Sequence, residues 1–442
     1  MFRMKTCSHH LSIEYSTYTY VEFSMVSIYP FRALRPAAEE SAAIASVPYD
    51  VVSRDEAAAC IFENNKSFLR VIRSDAELPD LNPYDDAVYA RARAVFDEMQ
   101  AEGLLRQDSA ESYSVYQVED EGRVFTGLVA CIGVSEYQNK VVKRHELTRY
   151  DKEEDRTRHI DTVGANTGQV FLLYRDTKGI HDLIASQANG EPVAETRTKS
   201  GAVHRIYPIT DPDLIKKITG TFADVPSLYI ADGHHRAKSA VNVYERRSVR
   251  GDANPESSRF MGILFAHDSV LIHGYSRLVR DLAGMTEDTF LQRLGEIFSI
   301  RELHDVDTLA SSISPAVDLA DHHIMHLYIG GRFYELTRPF DPSADAIARL
   351  DVSILQEKVL SPMLGITDPR GDERLAFMGG ALPIADLISG VDSGEYAFAI
   401  LMQPIGVDSI CDIADNDMIM PPKSTWFEPK LLSGLVIHMI DE

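Results

Sequence analysis

Short apolar runs alternate with helical spacings of apolar positions along almost the whole chain. Ala87, Ala90, Ala94, Val95 and Met99 recur near helical spacing, so a helix is expected from Asp85 to Leu105, closed by Gly103. Tyr113–Val118 and Val124–Val134 read as strands around the turn-like stretch Glu119–Arg123. Further strands are expected at Ser67–Arg73, Gln169–Tyr174, Leu228–Ala231, Phe260–Phe265 and Tyr396–Met402. A hairpin over Ile324–Leu336 turns at Gly330-Gly331, and helices are expected over about His235–Arg246 and Ala344–Leu360. Strands interleaved with helices exclude an all-α fold, and the hairpins argue against a purely parallel sheet. The expected class is α/β to α+β, a mixed β-sheet with flanking helices.

The chain has 442 residues, and 44 Lys+Arg against 67 Asp+Glu give a net charge of −23. Its length suggests two or three domains at roughly 150 residues each, or one large elaborated one. The Pro/Asp-rich stretch at Asp211-Pro-Asp213 suggests a boundary between 26–210 and 211–442. Met25-Val-Ser-Ile-Tyr-Pro-Phe reads as a natural beginning, so residues 1–25 are expected to be an extension. The acidic balance argues against a nucleic-acid partner, which would require a basic stripe. It leaves room for one phosphorylated small molecule in a local basic pocket. Cys7, Cys60, Cys131 and Cys411 form no C-x-x-C pair, which suggests reduced thiols in the cytoplasm and no structural zinc. No apolar run reaches about 18 residues, so no membrane partner is expected.

Candidate chemistry gathers in three segments. In Tyr229-Ile-Ala-Asp232-Gly233-His234-His235-Arg236 an apolar strand ends, Gly233 permits a left-handed turn, and a helix begins. Ala237, Ala240, Val241 and Tyr244 set the helical register. Gly233 to Arg236 then lie at a helix N-terminus, where free N–H groups and the dipole favour an anion. A guanidinium there opposes the dipole, a small cost that an anion would reverse. The bland alternative is that Asp232 caps a helix whose His/Arg cluster is merely solvated.

The second segment runs from Lys143 to Arg156 and holds Arg144, His145, Glu146, Lys152, Glu153, Asp155 and Arg156. Its like-charged neighbours Lys152–Arg156 and Asp151–Asp155 repel without a ligand or cation, and such mixed charge would suit Mg²⁺ with phosphate. A solvated helix is the ordinary reading of such a run. The third is Met420-Pro-Pro-Lys423-Ser424-Thr425-Trp-Phe427-Glu-Pro-Lys430. Its prolines force an extended entry, and alternation would put Lys423, Thr425 and Phe427 on one side. Lys-Ser-Thr mimics a P-loop ending, but the upstream glycines are missing. Asp50, in the turn Pro48-Tyr-Asp-Val, is a further candidate acid, with turn-making as its ordinary role. His322 and His326 would stand about 13 Å apart on a strand, too far to share one ion.

These segments resemble the family catalogued as domain of unknown function 1015. The resemblance runs from about Ile28 to Ile440 through Tyr29-Pro-Phe-Arg-Ala33, Pro48-Tyr-Asp-Val51, Arg144-His-Glu-x-Thr148, Lys152-Glu-x-x-Asp155-Arg156, Ala165-Asn166, Ala231-Asp-Gly-His-His-Arg236, Leu350-Asp-Val352 and Met420-Pro-Pro-Lys-Ser-Thr425 to Pro429-Lys430-x-x-Ser-Gly-Leu435. A narrower likeness joins Ile230–Arg236 to the nucleotide-phosphate motif of the ParB and sulfiredoxin-like superfamily, which includes free-serine kinases. It implies such an element within a larger elaborated fold. The chain departs from ParB chromosome-partitioning proteins in its charge and in lacking an evident helix-turn-helix.

The resemblance implies a phosphotransferase acting between ATP or ADP and a small hydroxylated metabolite, free serine first, with Mg²⁺. Asp232, Glu146 or Asp50 would serve as catalytic carboxylates. Gly233, His234, His235, Arg236, Arg144, Lys152, Arg156, Asn166, Lys423, Ser424, Thr425 and Lys430 would bind nucleotide or phosphate, and Asp155 and Glu153 the metal. The alternatives are a non-catalytic nucleotide switch, and a metal-dependent hydrolase or phosphoserine phosphatase using His145, Glu146, His234 and His235.

Overall fold

The computed structural model describes residues 25–304 and 322–441. The extension expected at residues 1–25 lies, except for Met25, outside them. A nine-stranded sheet runs in the order Val142–Lys143, Leu228–Asp232, Val170–Tyr174, Arg259–Ala266, Arg123–Gly133, Tyr113–Asp120, Val203–Ile209, Ala194–Arg197, with Ile28–Tyr29 also paired to Arg123–Gly133. Two of its pairings are parallel, Leu228–Asp232 with Val142–Lys143 and Arg259–Ala266 with Val170–Tyr174. The rest are antiparallel. A second, six-stranded sheet is ordered Ser299–Leu303, Arg332–Pro339, His322–Ile329, Phe398–Met402, Tyr275–Val279, Leu375–Gly379. The mixed α/β architecture is the expected one. Strands from both sides of residue 210 share the large sheet, so no break in pairing falls there.

Val170–Tyr174 has no charged position, and Arg259–Ala266 has none after Arg259, because both faces are buried. Phe171 and Leu173, with Met261, Ile263 and Phe265, join the core shared with Met325, Leu327 and Ile400 of the second sheet. Val170, Leu172 and Leu264 point the other way, against Ile218, Phe222, Ala237 and Val241 of the covering helices. Side chains alternate between faces with period two, so a strand covered on both sides has no polar register. Each fully buried Leu or Phe contributes roughly 1.5–3 kcal/mol relative to exposure.

Three helices stack side by side. Helix His234–Arg250 packs on Tyr150–Val163, where Ser239 Oγ donates to the Glu153 carbonyl at 2.9 Å and Arg247 Nε to Asp161 at 2.9 Å. Asp86–Ala101 packs on the other side of Tyr150–Val163, with the Tyr89 hydroxyl donating to Asp155 at 2.9 Å. The C-terminal run then threads back through the first part of the fold. Ser433 exchanges backbone bonds with Ser46, and Ile437 with Leu34. His438–Met439 pairs with Ala165–Asn166.

Three elements differ from expectation. Ser67–Arg73 holds the helix Leu69–Ile72, not a strand. Phe68, Val71 and Ile72 also fit an i, i+3, i+4 face, and they bury against Val95, Phe96 and Met99. The expected helix 344–360 starts only at Asp351, because Leu350 is extended (φ −70°, ψ 134°), and it continues as a π-type turn over Gln356–Leu360. Lys423 adopts a left-handed φ of +55°, so strand alternation begins only at Trp426 and does not relate Lys423 to Phe427.

Candidate functional site

Strand Leu228–Asp232 loses register with its neighbour between Ile230 and Asp232, an irregularity that re-aims the carboxylate at the strand end. Gly233 follows at φ +93° and ψ 27°, and the helix starts at His234. The glycine is required here: a Cβ would stand 3.1 Å from Arg236 Nε. The guanidinium of Arg236, itself buried, turns back to pair with Asp232 and to donate to the Gln169 carbonyl at 2.5 Å. The dipole conflict anticipated for a cation at a helix start is thus answered within the chain by Asp232.

The Asp232 side chain is 53% exposed at the end of its strand, and the charged groups that act on it outline a cleft there. Burial pushes its carboxyl up, but Arg236, Lys430 and Lys423 outweigh that and hold it below the usual carboxylate range. Glu146 behaves oppositely. Burial raises its carboxyl above the usual value, Asp232 adds to the rise, and Lys423 and Arg370 oppose it. The Asp50 carboxylate acts on Arg236, His235, Lys430 and Tyr275 alike, which puts it at the same cleft.

The facing wall comes from the second sheet and the C-terminal loop. Tyr275 begins strand Tyr275–Val279, and its ring meets Trp426 edge-on at 5.5 Å. Lys423 Nζ lies 5.1 Å from the Tyr275 ring centre, and Lys430 Nζ 3.9 Å from that of Trp426. The left-handed turn at Lys423 is held by Arg277, which donates to its carbonyl at 3.0 Å. Burial lowers the Lys430 ammonium, against the pull of Asp232 and Glu428. The Tyr275 hydroxyl is pushed up to about 12 by burial and by Asp232, Glu146 and Asp50.

Three imidazoles complete the site. His145 and His234 are buried and meet edge to face at 4.7 Å, with His145 Nδ1 and His234 Nε2 unpartnered. Burial brings the His145 pKa down to about 4 and His234 well below its usual value. Both are therefore neutral at pH 7. His235 Nε2 accepts the Arg149 N–H at 2.9 Å, which places its proton on Nδ1.

The other sequence candidates are mostly engaged with partners of their own. Asn166 Oδ1 accepts the Met261 N–H at 3.1 Å, a bond that fastens two strands. Ser424 Oγ donates to the Pro421 carbonyl at 2.6 Å, and Thr425 follows it in the same loop. Glu153 accepts the Thr148 hydroxyl, and Asp155 is taken by Arg156 and Tyr89. Among the described residues, no group of three or more His, Cys, Asp or Glu side chains is arranged to hold a metal ion. Lys152 and Arg156 line a neighbouring cavity instead. Arg144 lies within electrostatic reach of His234. Tyr275 is the residue the sequence did not single out. Trp426, flanked in sequence by Lys423 and Lys430, is the signal nearest to it.

A model of the family described as "Protein of unknown function (DUF1015)" matches residues 28–353. No curated protein matches the chain. Among solved structures, a mutant free serine kinase in complex with AMP aligns at a TM-score of 0.37 and 11% identity, over 71% of this chain and 92% of that one. A conserved hypothetical protein from Pyrococcus furiosus aligns at 0.33 and 12%, over 70% and 95%. SbnI with a C-terminal truncation, from Staphylococcus aureus, aligns at 0.36 and 10%, over 69% and 85%. Such scores carry no argument about this chain, and its function is read from the site.

Proposed function

The chain belongs to the DUF1015 family, whose description names no reaction, and from its site we propose a phosphotransferase that moves phosphate between ATP or ADP and a small hydroxylated metabolite, free serine first. One observation carries the reading: Lys423, Lys430, Asp232, Glu146 and Asp50 converge on the left-handed start of helix His234–Arg250. Phosphoryl transfer needs positioning and charge stabilisation more than covalent chemistry, and this cleft supplies both. Helix N–H groups receive phosphate oxygens, and the two lysines offset charge on the transferred group.

Two of the three cleft carboxylates divide the work. Glu146, raised by burial, is the better base for the acceptor hydroxyl. Asp232 stays ionised and fixes Arg236. Its carboxylate also fits Mg²⁺, an ion that is commonly held by one or two carboxylates plus phosphate oxygens and that neutralises phosphate charge when bound.

The test is phosphorus NMR on the protein with Mg²⁺, ATP or ADP, and L-serine, beside Asp232→Asn. Wild type should give phosphoserine, and the variant should slow its formation by at least about a hundredfold. Nucleotide bound without any phosphoserine or other phosphorylated acceptor would refute transfer and favour a nucleotide switch.

A further inference from the structure

On the other side of the Pro48–Val52 turn lies a cavity of about 310 Å³, lined among others by Val52, Ile72, Tyr84, Val88 and Lys152. A smaller pocket of about 20 Å³ adjoins it, sharing Tyr49, Ile72, Arg156 and His159 with the cavity and lined also by Arg236 and Gly168. Asp50 stands at the junction, lining the cavity while acting on Arg236 and Lys430.

The lining of this cavity carries four cations against three carboxylates, and its three arginines are already engaged. Arg54 donates to the Asp75 and Leu78 carbonyls at 3.0 and 2.5 Å. Arg73 donates to the Tyr49 carbonyl at 3.1 Å and to the Asp75 carboxylate at 3.0 Å. Arg156 pairs with Asp155 at 2.9 Å and lays its guanidinium over the Tyr49 ring at 4.3 Å. Such a lining offers hydrogen-bonding edges and apolar walls, but little net charge for a phosphate. At the rim Tyr84 is 42% exposed, and Lys152 donates to its hydroxyl at 3.3 Å. An exposed ring beside a polar chamber of little net charge suits a flat heterocycle, because a base can stack on it whatever its identity. The volume is at the lower end of small-molecule pockets, about 300–1,000 Å³, enough for one base with its sugar.

We infer that this cavity is the nucleoside subsite of the nucleotide that the proposed function requires, with the phosphates passing Asp50 toward Gly233, Lys423 and Lys430. The inference rests on that function, and its test separates the two. Calorimetric titration compares ATP, inorganic tripolyphosphate and adenosine on the full chain, on Val52→Trp, which fills the cavity, and on Tyr84→Ala, which removes its rim.

Wild type should bind ATP at least about tenfold more tightly than tripolyphosphate. Both variants should erase that difference and keep tripolyphosphate affinity, which also reports that they fold. Adenosine should bind wild type and neither variant. If ATP keeps its advantage in Tyr84→Ala, or wild type binds tripolyphosphate as tightly as ATP, the subsite is overturned and the phosphate site stands. If wild type binds neither, the proposed function falls with it.

Discussion

Two glycines bracket helix His234–Arg250, and their comparison tests how Arg236 is held. Gly233 precedes the helix at φ +93°, and Gly251 ends it at φ +82°. An alanine at either position meets backbone strain of roughly 1–2 kcal/mol in the left-handed region. At Gly251 a Cβ would meet nothing within 4 Å, so strain is the whole cost. At Gly233 the Cβ would press on Arg236 Nε, Cζ and Nη2 at 3.1, 3.2 and 3.3 Å. That guanidinium cannot swing aside freely, because Asp232 and the Gln169 carbonyl both hold it. Losing a hydrogen bond to a charged group costs about 1.5–3 kcal/mol when buried. Asp232 is half exposed, so its share is screened and the extra cost falls to roughly 1–2 kcal/mol.

Urea unfolding followed by circular dichroism should therefore rank Gly233→Ala below Gly251→Ala by that margin, with equal denaturant slopes. Calorimetry should find ATP affinity weakened only in Gly233→Ala. Variants equal to within about 0.5 kcal/mol, the ordinary scatter of such differences, would refute the clamped guanidinium.

Two predictions concern pH. Glu146 is deprotonated by the folded protein only above its raised pKa, so turnover should fall on acidification at a higher pH than an ordinary glutamate, near 4.3, would allow. Glu146→Gln should remove that acid limb along with most of the rate, and an unchanged profile would exclude it as the base. His145 takes a proton near 6.5 when unfolded but only near 4 when folded. Its contribution is complete above pH 6.5 and is lost as pH falls toward 4, about 3 kcal/mol over the whole range. Unfolding free energies at pH 7 and pH 4.5 should differ by less in His145→Gln than in wild type; an equal difference would rule out a neutral buried imidazole.

The sequence was most legible where one strand or helix decides its own structure. Val170–Tyr174 and Arg259–Ala266 announced themselves as apolar runs, and Asp232-Gly233 announced a turn between strand and helix. Residues 67–73 misled because Phe68, Leu69, Val71 and Ile72 satisfy both periods, and packing on Asp86–Ala101 decided between them. The spacing around Lys423 suggests a strand because no local rule foretells its left-handed φ, which Arg277 supports from a distant strand. Tyr275 was invisible for a similar reason. It reaches the cleft through contacts between separate sheets, and such contacts leave no spacing in a sequence.

The threading of the C-terminal run sets an order in time. By residue 266 a ribosome has delivered every strand of the large sheet, and with them Asp50, Glu146 and Asp232. Neither lysine of the cleft yet exists, and Leu34, Ser46 and Asn166 still lack the partners they find at Ile437, Ser433 and His438. Contacts so far apart in sequence form late and slowly. The nascent protein therefore holds Asp50, Glu146 and Asp232 before it holds the lysines that lower Asp232 and oppose the rise at Glu146.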